Sequence, residues 1–260
     1  SGESAAGRPF AGSIAAGETS RIFTGAHVPA GADTILIQED VTRNDDVLTL
    51  TGRGPAKLAE FIRAKGSDFA SGGTLMTAGT LLNAGSIALA AMAGHGAVQV
   101  GGRPKVAIIS SGDELVPPGK DCSDAQIPSS NDPMLAAMLA PLPCDVRMVG
   151  IIPDDLAQLE IALRDCADFD VIVTSGGASV GDHDLVRQAL LNVGADIDFW
   201  KVAMKPGKPL MAGRIGKTVV LGLPGNPSSA FVTAFLFLLP LVRYLAGSNT
   251  PFPATQMARM

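Results

Sequence analysis

The sequence predicts an α/β protein: a three-layer α/β/α sheet domain, preceded by a smaller β-rich domain and a helical connecting segment. Three observations carry this. From about residue 103 onward, apolar strand-like runs alternate with runs of helical period, the grammar of βαβ units around a parallel sheet. One of them, Val171-Ile-Val173, is β-branched throughout with no polar alternation, as in a strand buried on both faces. Residues 1–78 instead carry short β-like segments between turns. With 47% hydrophobic residues, 30 Gly and 18 Pro in 260, the composition suits a packed, turn-rich fold and excludes a disordered chain.

In chain order, Ser20–Phe23, Thr34–Gln38 and Val47–Leu50 read as strands of the first domain, separated by turns at Thr24-Gly25 and Pro29-Ala-Gly31. A helix over Asn83–Met92 follows, closed by Gly94. Its pattern is apolar nearly all round, which predicts packing between domains or subunits. Gly101-Gly102 ends the connecting segment, residues 79–102. The strand Lys105–Ile109 opens into Ser110-Ser-Gly-Asp-Glu114, and Asp132-Pro133 reads as an N-cap with Pro in the first turn of a helix to Leu139. Val146–Ile151 is the next strand, and Asp154 starts a helix with Leu156, Leu159, Leu163 and Cys166 on one face.

The Val171 strand then stops in Thr174-Ser-Gly-Gly177. Two glycines there let the backbone turn tightly and approach a ligand, with amide N–H groups and two hydroxyls free to hold an anion. Val186, Ala189, Leu190 and Val193 mark the helix that follows, stopped by Gly194. Phe199–Met204 leads into Lys205-Pro-Gly-Lys-Pro209, Leu210–Ala212 and Thr218–Leu223 are strands, and Pro224-Gly-Asn-Pro227 begins a long apolar stretch. That stretch, Ala230–Val242, is broken by Thr233 and Pro240 and is shorter than the ~20 residues of a membrane span, so it reads as a core helix. Residues 248–260 read as a tail.

A net charge of −5 without a basic cluster offers no footprint for nucleic acid. Three cysteines, Cys122, Cys144 and Cys166, are an odd number without C-x-x-C spacing. With neither a basic leader nor a membrane span, they predict a cytoplasmic protein. His27, His95 and His183 have no metal-ligand spacing. What does collect at expected strand ends is carboxylates (Asp113, Glu114, Asp182, Asp184), hydroxyls, glycine amides, Asn226 and the lysines of Lys-Pro-Gly-Lys. In open α/β sheets that edge binds ligands. Amides and lysines suit a phosphate-bearing anion, and carboxylate pairs suit Mg²⁺ bridging acids to phosphate.

Thr174-Ser-Gly-Gly-Ala-Ser-Val-Gly-Asp-His-Asp184, Ser111-Gly-Asp-Glu-Leu115, Met204-Lys-Pro-Gly-Lys-Pro209 and Gly222-Leu-Pro-Gly-Asn-Pro227, in this order, closely resemble the molybdopterin molybdenumtransferase family, to which the E domain of gephyrin also belongs. Ile22-Phe-Thr-Gly-Ala-His-Val-Pro-Ala-Gly-Ala-Asp33 and Ile62-Arg-Ala-Lys-Gly-Ser-Asp68 match the same family. The resemblance implies a sheet domain of the molybdenum-cofactor-binding type over residues 103–247. It implies an enzyme that takes adenylylated molybdopterin and molybdate, cleaves the nucleotide in a Mg²⁺-dependent step with release of AMP, and inserts molybdenum into the dithiolene. A homodimer with an inter-subunit site is expected, with molybdopterin adenylyltransferase and molybdoenzyme maturation proteins as further partners.

Carried over by position, Asp68, Glu114, Asp154, Asp184, Lys205 and Lys208 are the expected catalytic set. Glu114 and Asp184 organise the metal or molybdate, and the lysines face the anionic substrate. Thr24, Gly25, Asp113, Asn131, Ser175, Gly176, Gly177, Ser179, Pro224, Gly225, Asn226 and Pro227 are the expected substrate contacts. For Asp154 an ordinary helix cap is the competing reading. The family's Ser-x-Met-Asp-Gly string does not occur, and Ser67 and either Ala64 or Lys65 stand where the family has Glu and Arg. Together with the absence of the family's C-terminal β-domain, this implies a fragment or shortened member. Two other readings stand beside it: the molybdopterin adenylyltransferase, which shares the sheet domain, and a non-catalytic pterin-binding or scaffold protein.

Overall fold

The computed structural model describes residues 2–176 and 185–256. The chain divides into two compact units, Ser1–Leu75 and Met76–Met260.

The first unit holds two small sheets. β1 (Glu3–Ser4) runs parallel to β2 (Arg21–Ile22), and β3 (Val41–Asn44) pairs antiparallel with β4 (Val47–Leu50). The expected strand over Thr34–Gln38 does not form. Gln38–Asp40 is instead a 3-10 turn, and the Asp40 carbonyl accepts the N–H groups of Thr51 and Gly52 at 2.8 and 3.0 Å. The segment is thus fixed at its end by the hairpin that follows and not by a ladder partner.

The second unit begins with α1 (Ala84–Met92), whose cap, Asn83, accepts the Ser86 N–H at 2.9 Å. Of this helix only Ala90 is buried within the chain. Around the sheet come β5 (Lys105–Ser111), the short parallel pair β6 (Leu115–Val116) and β7 (Ile127–Pro128), α2 (Asn131–Leu139), β8 (Asp145–Ile152) and α3 (Leu156–Arg164). They are followed by β9 (Val171–Ser175), α4 (Leu185–Asn192), β10 (Asp196–Trp200), β11 (Met211–Ile215) and β12 (Thr218–Leu223). Six strands form one sheet in the order β10-β11-β12-β9-β5-β8. It is parallel from β12 through β9 and β5 to β8, and antiparallel across β10, β11 and β12. The sheet is therefore mixed where the sequence pattern predicts a parallel one, because short turns at 201–210 and 216–217 replace helical crossovers there.

Strand alternation sorts the core into two layers. Val106, Ile108, Val171, Val173, Leu221 and Leu223 face Leu135 and Leu139 of α2 and the C-terminal helix; Ala107, Ile109, Ile172 and Val220 face Leu159 and Leu163 of α3 and Val186, Ala189 and Leu190 of α4. This is the three-layer arrangement.

The C-terminal helix is continuous over Pro227–Leu245: α5 (Pro227–Thr233), a π turn (Ala234–Leu238) and α6 (Leu239–Leu245). Neither expected interruption stops it. The Thr233 hydroxyl donates back to the Ser229 and Ala230 carbonyls at 2.7 and 3.1 Å, and the π turn ends two residues before Pro240, which has no N–H to give. The helix is thus long and apolar enough to cross a membrane by length and composition, contrary to the sequence estimate. In this fold it lays Ala234, Leu238, Leu239 and Val242 against the sheet.

Candidate functional site

Register brings the sequence motifs to one edge. Ser110 lies beside Ser175, Ser175 beside Leu223, and Ser111 beside Ile152, so the turns after β5, β9, β12 and β8 leave the sheet at the same end. The antiparallel partner β11 starts there too, Met211 opposite Gly222, which adds the 201–210 loop. Along this edge the order of charge is fixed by strand order. Lys201, Lys205 and Lys208 stand at β10 and β11, glycine turns at β12 and β9, and Asp113, Glu114 and Asp154 at β5 and β8. At ~4.8 Å per strand, the lysine and carboxylate ends are about 19 Å apart.

The centre is built by close backbone approach. Gly176 has φ +91°, and a Cβ there would stand 2.2 Å from the Ser111 carbonyl oxygen; one on Gly225 would stand 3.4 Å from the Gly176 Cα. Asn131, at the start of α2, donates to Ser175 Oγ at 2.7 Å and to the Gly225 carbonyl at 2.8 Å. The sequence reading of two hydroxyls free to hold an anion is thus corrected: Thr174 and Ser175 are not at the surface. Both side chains are buried, Ser175 beneath Asn131, because α2 covers this end of β9. Gly177, Ser179, Asp182 and Asp184 lie outside the described residues. Pro224 is buried, and Asn226 caps α5 by accepting the Ser228 and Ser229 N–H groups at 3.1 and 3.3 Å, with Pro227 in the first turn.

At the acidic end, Asp154 accepts the Ser111 hydroxyl at 2.8 Å, while its own N–H donates to Asp113 Oδ1 at 3.1 Å. Helix capping falls to the next residue, Asp155, whose carboxylate accepts the Gln158 N–H at 2.8 Å. The cap reading of Asp154 is thereby excluded. Glu114 folds back over Gly112, where an added Cβ would meet its Oε2 at 2.5 Å. Among the described residues, no group of three or more His, Cys, Asp or Glu side chains is placed to hold a metal ion.

At the basic end, the ladder is extended by Lys201 N–H to Leu210 O and Val202 N–H to Lys208 O, both 2.9 Å. Gly207, φ +110°, is packed so that a Cβ would meet Met204 and Thr233. This holds the loop down and leaves Lys205 and Lys208 exposed at its tip. The first unit carries three of the expected residues, Thr24, Gly25 and Asp68. Thr24-Gly25 forms the centre of a turn closed by Ala26 N–H to Phe23 O at 3.0 Å, with Gly25 at φ +81° as such a turn requires; Asp68 ion-pairs with Arg63 at the surface.

One group escapes sequence reasoning. Asp132, which reads as an N-cap, lies inside α2, whose cap position is Ser130. Its carboxylate accepts the Ser110 hydroxyl instead, at 9% exposure. Burial pushes this carboxyl above its usual value, with the Ser129 hydroxyl and its own backbone N–H pulling the other way. The folded state thus holds this proton more tightly than the unfolded chain. Stability contributed by Asp132 is fully present below the ordinary value of 3.8 and is lost as pH rises through the raised one. Asp132→Asn is expected to flatten that limb of the stability–pH curve in denaturant unfolding; an unchanged curve would contradict it.

The chain is similar to known proteins over most of its length. The family described as "Probable molybdopterin binding domain" matches residues 107–244, more than half of the chain, and "MoeA N-terminal region (domain I and II)" matches residues 1–94. The chain belongs to the molybdopterin molybdenumtransferase family. It is 38% identical over 249 residues to the molybdopterin molybdenumtransferase of Haemophilus influenzae, covering 95% of this chain and 61% of that protein. It is 39% identical over 236 residues to that of Nostoc sp., covering 89% and 53%. A molybdopterin biosynthesis MoeA protein from Pyrococcus horikosii superposes with a TM-score of 0.73 at 30% identity, over 95% of this chain and 61% of that one. The chain thus spans little more than half the length of the relatives it matches.

Proposed function

We propose that this chain performs molybdopterin molybdenumtransferase chemistry: it binds adenylylated molybdopterin and molybdate, releases AMP and places molybdenum in the dithiolene. The observation that carries this reading is the order of charge along the sheet edge. A nucleotide-bearing pterin is elongated and multiply anionic. Lysines at one end neutralise phosphate, glycine turns in the middle let the ligand approach backbone, and carboxylates at the other end suit a cation. Bound Mg²⁺ would supply charge neutralisation at the phosphoanhydride. Glu114 and Asp184 are its assigned holders, although the described residues do not by themselves compose a metal set. The chain's own contribution is to bind and orient: Lys205 and Lys208 hold the anion, the Ser175-Gly176 and Pro224-Gly225 turns seat it, and Ser111, Asp113 and Asp154 set the acidic end.

In this reading the protein acts as a cytoplasmic homodimer with residues of both subunits in the site. A molybdopterin adenylyltransferase supplies its substrate, and molybdoenzyme maturation proteins take its product. Binding of adenylylated molybdopterin tests it. The Lys205→Ala/Lys208→Ala double variant should bind at least about tenfold more weakly and with a shallower salt dependence, since two charge-assisted contacts are removed. Equal affinity and salt slope would place the anion elsewhere.

A further inference from the structure

The first two residues of α2 reach three strand ends that are neighbours in the sheet. Asn131 spends both hydrogens of its amide, one on Ser175 Oγ at the end of β9 and one on the Gly225 carbonyl just beyond β12. Asp132 accepts the Ser110 hydroxyl at the end of β5. β12, β9 and β5 lie side by side, and the two residues are 8% and 9% exposed. The turns they tie leave no slack, given the 2.2 Å that separates a Cβ on Gly176 from the Ser111 carbonyl oxygen.

We propose that Asn131 and Asp132 are a positioning pair that fixes the mutual spacing of the three strand-end turns seating the anionic substrate. This assigns Asn131 a role other than direct substrate contact and brings in Asp132, which no motif marks. It rests on the reading of this edge as the substrate site. An Asn amide with both hydrogens engaged has no donor left for a ligand. Its one remaining oxygen is buried without a partner among the described residues. The bonds cross between elements far apart in sequence, 44 and 94 residues for Asn131 and 22 for Asp132, so they act on the placement of whole turns.

Hydrogen exchange of the full chain, combined with affinity for adenylylated molybdopterin, tests the pair. Asn131→Ala should speed exchange of the Gly176 and Gly225 amides by at least about tenfold, one hydrogen bond's worth, while mid-strand Ile108 and Val173 keep wild-type rates. Affinity should fall in step. Asp132→Ala should loosen the Ser111-Gly112 amides and weaken binding, and Asp132→Asn, which keeps an oxygen acceptor for Ser110, should restore both. If Asn131→Ala does not fold, Ser175→Ala removes the same bond from the other side and should loosen the Gly176 amide. Lost affinity with unchanged exchange would make Asn131 a direct ligand contact and overturn the proposal. So would Asp132→Asn as impaired as Asp132→Ala. If the wild-type chain binds no adenylylated molybdopterin, the functional reading fails, and exchange still decides the positioning role.

Discussion

Gly176→Val is expected to cost the sheet domain at least about 3 kcal/mol and to remove ligand binding. Two effects add. The backbone at φ +91° is one that L side chains rarely adopt, and the new Cβ would be driven to 2.2 Å from the Ser111 carbonyl oxygen. That neighbour is backbone of a strand buried from Val106 to Ser111, so it cannot swing aside. Relief requires β9 and β5 to part at the edge where the turns must converge. Gly194 is the control. Its φ of +85° is similar but nothing lies within 4 Å of an added Cβ, so Gly194→Ala should cost only about 1 kcal/mol and leave binding intact. Denaturant unfolding and ligand titration measure both. Near-wild-type stability and affinity in Gly176→Val would refute the close-approach account.

The second large effect separates two adjacent acids. Asp154→Ala is expected to lower molybdate-dependent AMP release by at least about a hundredfold while changing stability by less than about 1 kcal/mol. Asp155→Ala should do the reverse, removing roughly 1 kcal/mol of helix capping and sparing activity. The reason is the division of labour in the structure: Asp155 accepts the Gln158 N–H and closes α3, whereas Asp154 accepts Ser111 and presents its N–H to Asp113. Equal loss of activity in both variants would mean that the helix start as a whole matters, and not this carboxylate.

Much of the fold was legible because burial writes itself into pattern. Val171-Ile-Val173 has no polar alternation because one layer packs against Val171 and Val173 and the other against Ile172. Lys105–Ser111, Thr218–Leu223 and the helix face of Leu156, Leu159 and Leu163 were readable for the same reason. Thr34–Gln38 was not, since strand-like composition does not supply a partner, and here the chain turns before pairing. The mixed sheet was equally hidden. Whether Phe199–Met204 and Leu210–Ala212 join parallel or antiparallel depends on loop length, and the strands are displaced from the apolar pattern, the first earlier, at Asp196–Trp200, and the second later, at Met211–Ile215.

The site divides along the same line. Glycines and charged residues at strand ends were visible because their types imply chemistry, so Glu114, Lys205, Lys208 and Gly225 could be singled out from sequence. What each side chain bonds to was not visible. Asp154 and Asp155 look interchangeable as helix starters, and only three-dimensional placement gives one to the cap and the other to Ser111. Asp132 passes for a cap because Asp-Pro is a common helix opening. Its partner, Ser110, is 22 residues away, and no local signal announces such a bond.

The most direct test of the central claim is release of AMP from adenylylated molybdopterin by this 260-residue chain, assayed with Mg²⁺ in the presence and absence of molybdate. The account predicts AMP release that depends on molybdate and is lost in Asp154→Ala. Tight pterin binding with no molybdate-dependent release, or formation of adenylylated pterin from ATP, would contradict it.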